Sequence, residues 1–356
     1  MGVWRARAAA TGTGGKAQVL VARCAWFFLL PIAAAGTLAE GQTLREVVFT
    51  DYGAPSSNRE LLRRLVRPLA AVQLEQELSR SGKRLADQPV DLSAERFLVQ
   101  LPSQHSAAGY GLLVFVPPWQ EARLPEGWAE VLNASGVIYV TAAHSGNDEN
   151  LLGRREPLAL LAAYNIMRRY PVDPERVYIA GFSGGSRVAL RLALGYPDLF
   201  RGAILNAGSD PVGTAEVPLP PRDLLLAFQR SVHLVYVTGE RDEPHVSDDL
   251  LSVRSMRRWC MFNVTSFLQP RTDHEVAAPA ALARALGNLA SNAPPEAKAL
   301  ATCQSAIDTK LEAGLHTVES LIANGQLARA QKQLKSVDEH FGGMAAPRSV
   351  ELASRF

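Results

Sequence analysis

Cysteine is scarce in this chain: three residues among 356, too few for a four-thiolate zinc site or a dense disulfide framework. An excess of either charge is also missing. Lys plus Arg is 37 against 35 for Asp plus Glu, a formal +2, which argues against a protein that tracks nucleic-acid phosphates. Glycine (27) and proline (22) are at ordinary levels, excluding collagen-like and low-complexity classes. A long hydrophobic run is lacking too. The apolar stretch near the N-terminus covers roughly 12 to 16 residues, short of the roughly 20 that span a bilayer. What remains is a chain with 47% hydrophobic and 20% charged residues, able to bury a sizeable core as one large α/β domain with additions or as two modest domains.

Residues 1–39 have the order of a secretory leader: Arg5, Arg7, Lys16 and Arg23, then Cys24 with Trp26 to Leu30 and Ile32, then Ala33, Ala34, Ala35 and Ala39. Cleavage is expected near Ala35 or Ala39, with an uncleaved membrane anchor as the alternative. Arg23 directly before Cys24 speaks against a lipoprotein signal. The protein is therefore expected to be exported, periplasmic or secreted, with no stable membrane span once the leader is removed. That removal takes Cys24 with it and leaves Cys260 and Cys303, an even pair expected to be bonded in an oxidising compartment. Their loop of about 43 residues is worth about 3–4 kcal/mol in the chain-entropy model.

Residues 41–95 read as a lead-in region: one short β-rich run at Val47-Val48-Phe49, then Leu61, Leu62, Leu65, Leu69 and Val72 at helical spacing. Across 96–290, strands and helices alternate. Strands are expected at 97–99, 112–116, 137–140, 177–180, 203–205, 234–237 and 264–268, and helices at 158–169, 186–194 and 280–289. Continuous apolar strands separated by helices indicate a mostly parallel sheet covered by helices on both faces, an α/β fold. After Pro294-Pro295, over 296–345, two stripes (Ile307, Leu311, Leu315, Val318, Ile322 and Leu327, Ala330, Leu334, Val337, Phe341) flank Asn324-Gly325, the pattern of a C-terminal α-helical hairpin. Two roles are open for it: covering an apolar face of the main domain, or binding a protein partner.

The most informative stretch is Val177-Tyr178-Ile179-Ala180-Gly181-Phe182-Ser183-Gly184-Gly185. It sets G-x-S-x-G between a buried strand and a helix. A serine on so sharp a turn needs small residues two before and two after it, and the turn lifts its hydroxyl above the strand ends at the start of a helix. With Tyr170-Pro171-Val172-Asp173-Pro174-Glu175-Arg176 before it and Tyr196-Pro197-Asp198-Leu199-Phe200 after it, this stretch resembles the α/β-hydrolase superfamily. It is most similar to secreted esterases related to poly(3-hydroxybutyrate) depolymerases and feruloyl esterases. The likeness covers about 97–289 and leaves out the lead-in and the hairpin.

The resemblance implies Ser183 as nucleophile, followed along the chain by an acid and then a histidine. His274, in the loop after the last strand, stands where the family carries its general base, with Asp273 where the family often has glycine. Asp242, after the strand 234–237 and Thr238-Gly239, matches the orienting acid, with Glu240, Asp248 and Asp249 as alternatives. His144, His233 and His245 are expected to be surface or structural residues. One oxyanion donor would be the Gly184 amide. The other would come from the loop after the strand 112–116, where the family often has His-Gly and this chain has Pro117-Pro118-Trp119-Gln120. Proline has no N–H, so Trp119, or else Gln120, must supply it. Trp119 and Phe182 are also candidates for lining the substrate pocket. The expected function is a serine hydrolase of carboxylic esters, acting through an acyl-enzyme on a small-molecule or polymeric substrate without metal or other cofactor. Peptidase or thioesterase use of the same triad is one alternative. A non-catalytic envelope binding or assembly module on a hydrolase scaffold is the other.

Overall fold

The computed structural model describes residues 41–291 and 293–356, so the expected leader lies outside the described residues. The strands are β1 (Gln42–Val47), β2 (Phe97–Leu101), β3 (Tyr110–Val116), β4 (Val137–Ala142), β5 (Val172–Phe182), β6 (Gly202–Asn206), β7 (His233–Gly239) and β8 (Val264–Gln269). They form one 8-stranded sheet in the order β1-β2-β4-β3-β5-β6-β7-β8. β2 runs antiparallel to both neighbours, and every pair from β4 through β8 is parallel. The apolar runs of the central strands thus reflect burial on both faces. Along β3, Leu112, Val114 and Val116 join one core cluster while Leu113 and Phe115 join the other, as the two-residue period of a strand requires.

The helices are α1 (Asn58–Leu65), α2 (Pro68–Arg80), α3 (Trp128–Ser135), α4 (Glu156–Arg169), α5 (Gly184–Gly195), α6 (Arg222–Ser231), α7 (Glu243–Arg258), α8 (Pro279–Ala290), α9 (Ala297–Ala323), α10 (Leu327–Phe341) and α11 (Arg348–Ala353). One face of the sheet carries the apolar sides of α1, α4, α5 and α6, and the other those of α3 and α8. The lead-in supplies the edge strand β1 and the buried residues Phe49, Leu61 and Leu65. Its strand ends at Val47, the first residue of the expected run, where Glu46 takes a positive φ of 53° and the pairing register shifts between Leu44 and Val47.

α9 and α10 pack as a helical hairpin through Ile307, Leu311, Leu315 and Val318 against Leu334, Val337 and Phe341. Leu327 departs from its expected stripe and is exposed. Gln304 donates to Gln229 of α6 at 2.6 Å, Arg222 pairs with Asp308, and a Cys260–Cys303 disulfide joins α9 to the residues just after α7. None of the helices in the described region is long and apolar enough to cross a membrane.

The topology fixes where chemistry can sit. β3 continues to β4 on one side, and β5 continues to β6 on the other. Their C-terminal ends therefore flank a crevice at the point where strand order reverses, the usual ligand position in open α/β sheets.

Candidate active site

Ser183 occupies the turn between β5 and α5, with φ 54° and ψ −124°, a conformation that costs a non-glycine residue of order 1–3 kcal/mol. The glycines of the motif make the turn possible by close approach rather than by unusual angles. A Cβ on Gly181 would lie 2.2 Å from the Gly185 carbonyl, and one on Gly185 would lie 2.0 Å from the Val116 carbonyl oxygen. The Ser183 N–H donates to the Asn206 carbonyl at 2.9 Å, which ties the turn to the end of β6.

His274 arrives from the loop after β8. That loop lies directly on the turn after β7: the Glu240 N–H donates to the Gln269 carbonyl at 2.9 Å and the Arg241 N–H to the Thr272 carbonyl at 3.0 Å. Gly239 permits the approach, since a Cβ there would sit 2.1 Å from the Asp273 carbonyl oxygen. Asn206 braces the same loop. Its side chain accepts from the Ala277 N–H at 2.7 Å and donates to the Val237 carbonyl at 2.9 Å.

These constraints bring Ser183, His274 and Asp242 together. His274 Nε2 is 3.0 Å from Ser183 Oγ, and its Nδ1 is 2.6 Å from Asp242 Oδ2. Burial pushes the Asp242 carboxyl up, but hydrogen bonds from His245 and His274 outweigh it and hold the group below the usual carboxylate range. The alternative acids are engaged elsewhere. Glu240 accepts from the Arg271 N–H, Asp248 pairs with Arg187, and Asp249 accepts from Ser209 and Thr238 at 2.6 and 2.5 Å.

His245 departs from expectation. Its Nδ1 lies 2.7 Å from the second oxygen of Asp242, and its ring stacks on His274 with centroids 4.3 Å apart and planes 18° from parallel. One carboxylate thus serves two imidazoles. The available signal was spacing: His245 sits three residues after Asp242 at the start of α7, where i and i+3 share a helix face. His144 is exposed and His233 contacts Thr265 at 2.9 Å. Asp242, His245 and His274 also present ligand-type atoms within 4.8 Å of one another. In the structure these atoms are engaged with one another, His245 and His274 each hydrogen-bonded to Asp242.

Gly184 is the first residue of α5, where a backbone N–H has no partner within the helix. Trp119 lies across the crevice in the loop after β3, and among the described residues its N–H takes part in no backbone hydrogen bond. Its ring is 6.2 Å from that of Phe182, which is 4.8 Å from the His274 ring. The Arg123 guanidinium stacks over the Trp119 ring at 3.9 Å. An alcohol oxygen, an imidazole, a carboxylate and amide N–H groups on an apolar aromatic wall are the parts needed for acyl transfer.

No family model matches the chain. A curated protein named "Putative esterase NocK", from Nocardia uniformis subsp. tsuyamanensis, is 49% identical over 53 residues, which is 14% of this chain and 15% of that protein. Among solved structures, the chain is similar to S-formylglutathione hydrolase FrmB of Staphylococcus aureus (14% identity, TM-score 0.45, 55% of this chain and 92% of that one). It is also similar to a ferulic acid esterase (18% identity, TM-score 0.41, 54% and 88%). The fluorophosphonate-binding serine hydrolase FphF of Staphylococcus aureus gives 14% identity and a TM-score of 0.45 over 71% of this chain and all 100% of that one. By its own strand order, with β2 alone reversed and Ser183 on the turn after β5, the chain has the α/β-hydrolase fold.

Proposed function

We propose that this protein is a serine hydrolase that cleaves carboxylic esters through an acyl-enzyme on Ser183. The observation that carries the reading is the hydrogen-bonded line from Ser183 Oγ through His274 to Asp242, with steps of 3.0 and 2.6 Å. In this reading Ser183 Oγ attacks the acyl carbon as its proton passes to His274 Nε2. Asp242 accepts the Nδ1 proton's hydrogen bond, keeping the imidazole in the right tautomer and stabilising its cation. The oxyanion receives the N–H groups of Gly184 and Trp119. His274 then protonates the departing alcohol, and the C–O bond to it breaks. Water, deprotonated by the same imidazole, attacks the acyl-enzyme and releases the acid, returning the proton to Ser183. Phe182 and Trp119 offer the acyl or alcohol group an apolar wall.

The chemistry belongs to 96–290, with 41–95 and 296–345 as additions that complete and cover it. The Cys260–Cys303 disulfide supports export to an oxidising compartment, with the leader at 1–39. A second reading, a non-catalytic binding module, draws support from the Pro117-Pro118 loop. A fluorophosphonate probe separates the two. Covalent labelling that disappears in Ser183→Ala, together with turnover of chromogenic esters, is the expected result. A folded wild type that neither labels nor turns over a chain-length series of such esters would favour the binding module.

A further inference from the structure

The loop after β3 poses a specific difficulty. It must aim an amide at the oxyanion, yet two of its residues are prolines without an N–H, and the loop has no secondary structure of its own. Its geometry is held through its carbonyl groups instead. Arg155 Nη2 donates to the Pro117 carbonyl at 3.0 Å. The Asn147 N–H donates to the Pro118 carbonyl at 3.1 Å, and the His144 N–H to the Gln120 carbonyl at 2.6 Å. All three donors belong to the segment between β4 and α4, and among the described residues the N–H groups of Trp119 and Gln120 take part in no backbone hydrogen bond.

Arg155 is the centre of this brace. It is 3% exposed, and its guanidinium also donates to the Ser145 carbonyl at 3.0 Å and to Asn147 Oδ1 at 3.4 Å. Among the described residues it forms no ion pair, although both neighbours do: Arg154 pairs with Glu95 and Glu156 with Arg191. A buried cation hydrogen-bonded only to carbonyl oxygens is costly even with Glu149 and Glu156 nearby, so what it contributes here is the placement of the oxygens it holds. Asn147 extends the brace to the nucleophile's turn, since its Oδ1 packs against Gly184, where a Cβ would lie 2.2 Å away. Arg155 closes a five-residue π-helical turn, Leu151–Arg155, a rare feature that is frequent at functional sites.

We infer that Arg155 is the positioning residue of the oxyanion hole, fixing the Trp119 amide through Pro117 and registering it to the Gly184 amide through Asn147. The inference rests on the ester-hydrolase reading above. Displacing one of two oxyanion donors forfeits much of the 100- to 1000-fold that one donor supplies.

The test is steady-state kinetics on active-site-titrated enzyme with matched oxygen-ester and thionoester substrates. The sulfur of a thionoester accepts hydrogen bonds poorly, so its turnover draws little on the oxyanion hole. Arg155→Met is expected to lower kcat on the oxygen ester about 10- to 100-fold with KM within about 3-fold, and to shrink the oxygen-to-thiono rate ratio by a similar factor. Arg155→Lys, which reaches one carbonyl at a time, is expected to fall between Met and wild type. If Arg155→Met does not fold, Asn147→Ala at an exposed position decides, with a smaller fall in the same ratio expected. A folded Arg155→Met with wild-type kcat and ratio, or Asn147→Ala with an unchanged ratio where Arg155→Met is unfolded, would overturn the inference and leave the ester-hydrolase reading intact. Ester turnover that survives in Ser183→Ala would overturn both.

Discussion

Asp242→Asn is a sharper probe of this site than of an ordinary triad, because the carboxylate has two clients. Asp242 accepts from His274 at 2.6 Å and from His245 at 2.7 Å, one imidazole on each oxygen. Asparagine keeps one acceptor and turns the other position into a donor. Whichever imidazole faces the amide nitrogen must present a bare Nδ1. If that is His274, its Nε2 carries the proton and cannot take one from Ser183. Loss of the negative charge acts in either orientation. A pair of unit charges about 4 Å apart is worth about 4 kcal/mol at an effective dielectric of 20, or about 1000-fold in rate. The wrong tautomer takes the loss toward about 10,000-fold. The expected kcat of Asp242→Asn is therefore about 1000- to 10,000-fold below wild type, with the circular dichroism and melting curve retained. His245→Ala alone should cost less than about 10-fold, since Asp242 keeps its charge and its bond to His274. In the double variant the amide is free to turn its oxygen toward His274, so kcat should rise about 10-fold over Asp242→Asn. Losses that simply multiply would show that the two imidazoles do not compete for the carboxylate. An Asp242→Asn enzyme within about 10-fold of wild type would remove Asp242 from the mechanism.

Other perturbations test the frame around the site. Cys303→Ser opens a loop spanning 43 residues and should lower stability by about 4 kcal/mol, read as a shift in the urea midpoint, with kcat unchanged in buffer. Gly185→Ala places a Cβ 2.0 Å from the Val116 carbonyl oxygen. It should destabilise the fold by more than about 2 kcal/mol and abolish probe labelling even in the folded fraction, as measured by melting and by gel fluorescence. Glu60 tests the acid limb of stability. Hydrogen bonds from Arg63, opposed by burial and joined by those from Arg64, hold its carboxyl at about 2. A depressed native pKa stabilises the fold above the unfolded value of 4.5 and loses that contribution as pH falls from there toward 2. With solvent screening the contribution is about 1 kcal/mol. Glu60→Gln should thus lie below wild type at pH 6 and converge with it near pH 2 in urea titrations.

The core of the sheet was legible because its strands are buried on both faces and therefore apolar without interruption. The runs at 112–116, 177–180 and 234–237 lie within β3, β5 and β7. Boundaries were less legible. β5 begins at Val172, five residues before its apolar part, because Val172 pairs with Tyr110 of β3 and an irregularity over the more exposed residues 173–176 separates it from the pairing of Val177 with Leu112. α6 and α7 carry mixed sequences such as Arg222-Asp223 and Asp248-Asp249 that give no clean apolar stripe and so no helix signal. β1 was displaced by the kink at Glu46, a conformation no local rule assigns to glutamate.

The same distinction runs through the site. Ser183, Asp242 and His274, the residues of the proposed triad, were legible in the sequence because each follows a strand end. Asn206, Arg155 and Asn147 were not, because what they do depends on contacts between segments far apart in the chain, whereas His245 carried a local signal in its spacing from Asp242. Asn206 links the Ser183 turn to the His274 loop across 71 residues, and Arg155 reaches back 38 residues to Pro117. Nothing local marks a lone arginine between Arg154 and Glu156 as the one that abandons ion pairing for carbonyl oxygens. The Pro117-Pro118 loop, which stands where the family that the sequence resembles often has His-Gly, acquires a different meaning in this setting. Prolines limit the loop's backbone freedom and withhold competing N–H groups, and the carbonyls they leave are the ones that Arg155 and Asn147 hold. Two prolines at one position are thus matched by donors supplied from another, and only the folded chain puts the two side by side.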